Sequence, residues 1–256
     1  KDASYLELDH KHGHDSFLIN SPNFLRTVSA FLMGKTGEDK KEKRNSGSTH
    51  SRYDVKKEAD FKIIDDWVEP SSKVLDLGCG KGALLEYLRD TKDVFGLGVD
   101  YDLNKATACV ARGVTVCQED IRKVLSNLKD NSFDWVIFSR MVEELEEPGK
   151  VILEALRVGK RVAISFVNYS YWKNRYRFLR SGVRIRNEVY PDPWEASKLR
   201  NYFSVRDFEL FCKDMKAKKI EFSIGRKVFH RGDWVKTCKF LPNLRAGLAI
   251  YELIKK

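Results

Sequence analysis

Residues 74–82 read V-L-D-L-G-C-G-K-G, and a second apolar run, V-F-G-L-G-V-D, ends on Asp100 about twenty positions later. A short apolar run with one acidic interruption has the length and β-branched bias of a buried parallel strand. Gly78, Gly80 and Gly82 let the backbone turn sharply and approach a ligand with no Cβ in the way. The A-L-L-E-Y-L-R that follows sets Leu84, Leu85 and Leu88 on one helical face. A strand, a glycine turn, a helix and a strand ending in a carboxylate make a nucleoside-binding βαβ unit. Asp100 is placed to accept hydrogen bonds from both ribose hydroxyls.

Two nucleoside cofactors fit this unit. Gly78, Gly80 and Ala83 satisfy the dinucleotide pattern G-x-G-x-x-G/A in its proper context. Asp76, two residues before the first glycine, argues the other way. A carboxylate behind the loop repels a pyrophosphate but tolerates a cationic sulfonium and ammonium. S-adenosylmethionine is therefore the first expectation, with a dinucleotide and a relic that binds neither as the alternatives.

The pattern resembles motif I of class I S-adenosylmethionine-dependent methyltransferases, and three further stretches follow in the same order. Asp100 matches the acidic end of their second strand. V-T-V-C-Q-E-D-I (Val114–Ile121) resembles their third strand, and F-D-W-V-I-F-S-R (Phe133–Arg140) their fourth. The resemblance implies an α/β, Rossmann-like fold: a mostly parallel seven-stranded sheet with helices on both faces and a C-terminal antiparallel hairpin. It also implies a cofactor site of Asp76, Gly78, Cys79, Gly80, Asp100, Tyr101, Asp120, Ile121 and Ser139, with adenine beside Asp120 and Ile121. The N-P-P-Y type signature for amino methylation is replaced by F-S-R-M-V. Ser139, Arg140 and Glu143 are the nearest polar side chains, each more simply a cap or surface group, so no catalytic residue is assigned.

Alternating strands and helices from residue 52 to 166 point independently to a parallel sheet covered on both faces. The expected order is helix 53–68, strand 73–77, helix 82–90, strand 94–99, helix 104–112, strand 114–117, helix 121–129, strand 135–139, helix 148–158 and strand 161–166. Beyond it come a helix over 174–180 and a helix entered at Ser204, whose N-cap role is signalled by Asp207 three residues on. Segments 220–227 and 247–254 supply the hairpin.

Charge divides the chain. Residues 52–166 hold 18 basic and 21 acidic side chains, whereas residues 167–256 hold 21 basic and 9 acidic ones. Such asymmetry speaks of partners rather than fold. Residues 172–186 carry Lys173, Arg175, Arg177, Arg180, Arg184 and Arg186 with no acid. Trp172, Tyr176 and Leu179 fall at i, i+4, i+7, so the first reading is a solvated basic face with a buried stripe. An acidic protein partner comes second, and nucleic acid, which would stack on the interleaved aromatics, is the least favoured.

No apolar run approaches the ~20 residues that span a membrane. Cys79, Cys109, Cys117, Cys212 and Cys238 are scattered without a C-x-x-C pair, which reads as reduced thiols of a cytoplasmic protein.

Six stretches resemble the methionine-biosynthesis protein W (MetW) family. They are S-R-Y-D (51–54), W-V-E-P-S-S-K-V-L-D-L-G-C-G (67–80), C-V-A-R-G-V-T-V (109–116), L-R-V-G-K-R-V-A-I-S-F-V-N (156–168), V-R-D-F-E-L-F-C (205–212) and L-P-N-L (241–244). The resemblance implies a domain over residues 52–256 that supports homoserine O-acetyltransferase in methionine synthesis. Where the family usually has a histidine before the R-D-F helix, Asn201 stands here, so no role of that histidine is carried over.

The first 33 residues resemble something else. S-Y-L-E-L-D-H-K-H-G-H-D-S-F-L-I-N followed by a helix is similar to the carboxyl end of homoserine O-acetyltransferases, which are α/β-hydrolases. His14 then corresponds to the triad histidine, without a G-x-S-x-G elbow upstream. His10, His12 and His14 also admit an exposed polar terminus or a metal site, but Gly13 interrupts the strand a metal set would need. Residues 34–51 contain no large apolar side chain and read as a flexible linker. With Lys1 in place of methionine, the expectation is a natural fusion, with the acetyltransferase first and the methyltransferase-like domain second.

Overall fold

The computed structural model describes residues 59–186, 193, 195–196, 200–233 and 236–255. The tail over 1–33 with His14, the linker over 34–51, and the start of the first expected helix lie outside these residues. The described chain opens with α1 (Ala59–Trp67), β1 (Lys73–Leu77), α2 (Ala83–Lys92), β2 (Phe95–Val99) and α3 (Leu103–Ala111). It continues through β3 (Thr115–Cys117), α4 (Ile121–Asn127), β4 (Phe133–Ser139), α5 (Pro148–Val158) and β5 (Gly159–Val167). After α6 (Trp172–Ser181) and α7 (Val205–Ala217) come β6 (Phe222–His230), the single turn α8 (Pro242–Arg245) and β7 (Leu248–Lys255).

The strands form one seven-stranded sheet in the order β3-β2-β1-β4-β5-β7-β6. β1 to β5 run parallel, and β7 pairs antiparallel with both β5 and β6. This is the sheet implied by the methyltransferase resemblance, including its terminal hairpin. Alternation along each strand splits the core into two layers. Val74, Trp135, Ile137 and Ala163 face α1, α2 and α3 through Ile64, Leu85 and Cys109. Leu75, Leu77, Phe138 and Ile164 face α4, α5 and α7 through Leu125, Ile152 and Phe208. The glycines of β2 are required by that packing. A Cβ at Gly96 would lie 2.8 Å from Leu85 Cδ2, and one at Gly98 only 2.6 Å from Cys79 Sγ.

The entry to α7 follows the sequence signal. Ser204 Oγ accepts from the Asp207 N–H and the Ser204 N–H donates to Asp207 Oδ2, a complete capping box. The basic helix does not follow it. Trp172, Tyr176 and Leu179 are 46%, 56% and 86% exposed, so the expected buried stripe faces outward. α6 is seated instead through polar contacts at its start. Asn174 is buried and its Nδ2 donates to the Tyr169 carbonyl at 3.0 Å, while Arg175 Nε donates to the Ser170 carbonyl. A periodic apolar stripe identifies a face, but tertiary context decides whether another element covers it. Among the described residues no helix is long and apolar enough to cross a membrane.

Candidate functional site

The carboxyl ends of β3, β2, β1 and β4 lie side by side, so the segments following them share one edge of the sheet. An open parallel sheet binds its ligands along this edge. The chain leaves β1 through Gly78, whose N–H donates to the Val99 carbonyl at 2.8 Å, and Cys79, whose N–H donates to the same oxygen at 3.0 Å. The loop is thereby tied to the end of β2. Gly78 has φ +75, and a Cβ there would lie 2.5 Å from Met141 Cγ, so only glycine passes without displacing Met141. Gly80 also has positive φ, at +58, but no heavy atom lies within 4 Å of where its Cβ would be. The loop therefore presents open backbone at Gly80.

Asp100 closes this edge. Its Oδ2 accepts from the Gly80 N–H at 3.0 Å and faces Lys105 Nζ at 3.6 Å, and its Oδ1 accepts from the Asp102 N–H at 2.9 Å. Each carboxylate oxygen retains acceptor capacity beyond these contacts. Asp76 sits in β1 just below the loop, 2% exposed, and its Oδ1 has no hydrogen-bond partner. Burial, reinforced by the nearby Cys109, Asp60 and Asp100 groups, pushes its carboxyl up to about 8. A buried orphan acceptor of this kind fits a ligand that brings a cation or a donor.

The other sequence-derived candidates divide. Tyr101, directly after Asp100, is 77% exposed. Asp120 caps α4, its Oδ1 accepting from the Arg122 N–H at 2.8 Å and its Oδ2 pairing with Arg122 at 3.0 Å. The Arg122 side chain holds the Asp120 carboxyl below its ordinary range. Ile121 is the buried first residue of that helix. Cys79 is buried under the loop. Ser139 does lie at the end of β4, but its hydroxyl donates to Asp60 Oδ2 at 2.7 Å.

Asp60 is the residue that sequence reasoning missed. It is fully buried in α1, and its Oδ2 also accepts from Ser165 Oγ at 2.7 Å and pairs with Arg140 Nε at 3.2 Å. Its Oδ1, like that of Asp76, lacks a hydrogen-bond partner. A signal was present: Asp60, Ile64 and Trp67 share the i, i+4, i+7 spacing of the buried helical face. Glu143 is also buried. Its Oε1 accepts from the Val167 N–H at 2.8 Å, and burial outweighs that bond to raise its carboxyl to about 7. Asn201 donates through Nδ2 to the Leu145 carbonyl at 2.6 Å and through its backbone N–H to the Glu143 carbonyl at 2.7 Å.

The edge is thus rich in hydrogen-bond acceptors, with Asp100 at the loop and the buried Asp76 beneath it. Such a set of acceptors suits a ligand that brings hydroxyl or cationic donors. Among the described residues no group of three or more His, Cys, Asp or Glu side chains is placed to hold a metal.

A family model described as methionine biosynthesis protein MetW matches residues 58–253. The bifunctional methionine biosynthesis protein MetXA/MetW of Rhodopirellula baltica is 29% identical over 192 residues, covering 71% of this chain. The match spans only 29% of that protein's length. A SAM-dependent methyltransferase from Archaeoglobus fulgidus superposes with a TM-score of 0.55 at 17% identity, over 80% of this chain and 95% of its own. Magnesium protoporphyrin IX methyltransferase from Synechocystis PCC 6803, solved with bound SAH, gives a TM-score of 0.55 at 15% identity, over 91% and 97%. At these identities the likeness concerns the fold, which is that of Rossmann-like methyltransferases.

Proposed function

Because the chain belongs to the MetW family, we propose that it is an S-adenosylmethionine-binding, methyltransferase-like protein that acts beside homoserine O-acetyltransferase in methionine biosynthesis. The observation that carries the reading is the pairing of Asp100 with the Gly80 N–H above the buried Asp76. In this reading Asp100 takes the ribose hydroxyls, and the backbone of Gly78, Cys79 and Gly80 lies against the nucleoside. Asp76 offers its orphan oxygen toward the cationic end, and Tyr101, Asp120 and Ile121 border the adenine.

The cofactor, when bound, supplies a methyl group activated by its sulfonium. The chain's own part is to orient that cofactor and exclude water, with the unpartnered oxygen of the buried Asp76 favouring a ligand that brings a cation or a donor. A second reading, a non-catalytic subunit that senses S-adenosylmethionine and tunes the acetyltransferase, has an observation in its favour. Ser139, Ser165 and Arg140, the polar groups at the end of β4 and β5, all converge on Asp60. Groups engaged in this way serve architecture more readily than acceptor chemistry. The fused relative supports the partner, and His14 would serve as the acetyltransferase histidine only when an upstream domain supplies its serine and acid.

Equilibrium dialysis with methyl-labelled S-adenosylmethionine tests the shared premise, and following methyl loss separates the two readings. Saturable binding with slow label release to a small-molecule acceptor supports the enzyme. Saturable binding without turnover, together with altered acetyl transfer by an added acetyltransferase, supports the sensor. Absence of binding rejects both.

A further inference from the structure

Two thiols meet beneath the cofactor loop. Cys79 belongs to the loop after β1 and Cys109 to α3, and their Sγ atoms lie 3.8 Å apart although the residues are 30 positions apart in sequence. Both are buried, and Cys109 Sγ also donates to the Gly80 carbonyl at 3.2 Å. Glycine backbone packs close to each sulfur. A Cβ at Gly98 would lie 2.6 Å from Cys79 Sγ, and one at Gly82 3.0 Å from Cys109 Sγ. The two sulfurs therefore meet in a closely packed setting, each also near glycine backbone.

We propose that Cys79 and Cys109 form a reversible disulfide under hydroperoxide, and that this bond weakens cofactor binding by pulling the Gly80 loop toward α3. In the reaction the O–O bond of the hydroperoxide breaks and one S–S bond forms. Two electrons pass from the thiols to the peroxide, and both thiol protons leave with its oxygens, as water and an alcohol (two waters for hydrogen peroxide). The sulfurs close from 3.8 Å to the ordinary bond length of about 2.05 Å. Cys109 then has no proton to give the Gly80 carbonyl, and the residue that moves is next to the one whose N–H holds Asp100. The hydrogen bond between the two thiols holds Cys109 below the usual thiol range and Cys79 above it.

Disulfide formation stands on the thiol geometry alone, whereas its effect on affinity rests on the S-adenosylmethionine reading. The native chain is treated with hydrogen peroxide, remaining thiols are blocked, and peptides are mapped by mass spectrometry before and after dithiothreitol. The expected product is a Cys79–Cys109 cross-link that reduction removes. Cys79 and Cys109 recovered as free thiols, or as separate sulfinic acids, would overturn the proposal. Titration with S-adenosylmethionine should then show affinity about tenfold weaker in the oxidised chain, restored by reduction, with Cys109→Ala insensitive to peroxide. A cross-link with unchanged affinity would overturn the switch. If even the reduced chain binds no S-adenosylmethionine, the cofactor reading fails, and the peptide map still decides the thiol pair.

Discussion

The Gly80 N–H donates to Asp100 Oδ2 at 3.0 Å, joining the glycine loop after β1 to the acidic end of β2. One carboxylate thereby shapes the loop and remains available to a ligand. The two features that stand out in the sequence, a glycine run and a distant aspartate, are two sides of one contact.

The loop glycines should not be equivalent. Gly78→Ala adds a Cβ 2.5 Å from Met141 Cγ on top of its positive φ, whereas Gly80→Ala meets open space. Backbone strain alone costs about 1–2 kcal/mol, and overpacking at Gly78 adds about 1–3 kcal/mol more. Urea denaturation should show Gly78→Ala as the less stable variant. Equal losses would mean that Met141 yields freely.

Asp60 should matter to folding far more than its place in a surface helix suggests. Asp60→Ala leaves the Ser139 and Ser165 hydroxyls and the Arg140 guanidinium without their shared buried carboxylate. Breaking a buried pair of this kind costs about 3–5 kcal/mol. Denaturant melts of Asp60→Ala within about 0.5 kcal/mol of the native chain, the scale of an ordinary surface substitution, would contradict the assignment.

Glu143 predicts a pH dependence. Its folded carboxyl is raised to about 7 against a usual 4.5, so between these values the folded chain binds more protons than the unfolded one. Stability from this group therefore falls as pH rises from about 4.5 to 7 and levels off above, a loss of about 3 kcal/mol at most. Asp76 adds a slope of the same sign reaching to about pH 8. Melting across this range should show Glu143→Gln with a shallower decline and a relative gain near neutral pH. Parallel curves for the two proteins would rule out the raised carboxyl.

What the sequence made legible is what local pattern determines. β1 and α5 have the expected boundaries, 73–77 and 148–158, because a buried apolar run and a Pro-started periodic helix carry their own limits. The Ser204 cap is equally local. Asp60 was hidden because its partners, Ser139 and Ser165, are 79 and 105 positions away. The Cys79–Cys109 contact was hidden for the same reason. α6 misled in another way: Trp172, Tyr176 and Leu179 have the spacing of a buried face, but the helix is anchored through Asn174 and Arg175.

The central claim is that Asp100 and the Gly78–Gly80 loop hold S-adenosylmethionine. Calorimetric titration of the native chain and of Asp100→Ala tests it most directly, with a thermal melt of each to confirm folding. Loss of two hydrogen bonds to a charged acceptor, each about 1.5–3 kcal/mol, should weaken binding by at least about 100-fold. Saturable binding by the native chain with that loss in the folded variant is the predicted result. Equal affinity in both proteins, or no binding by the native chain, would contradict it.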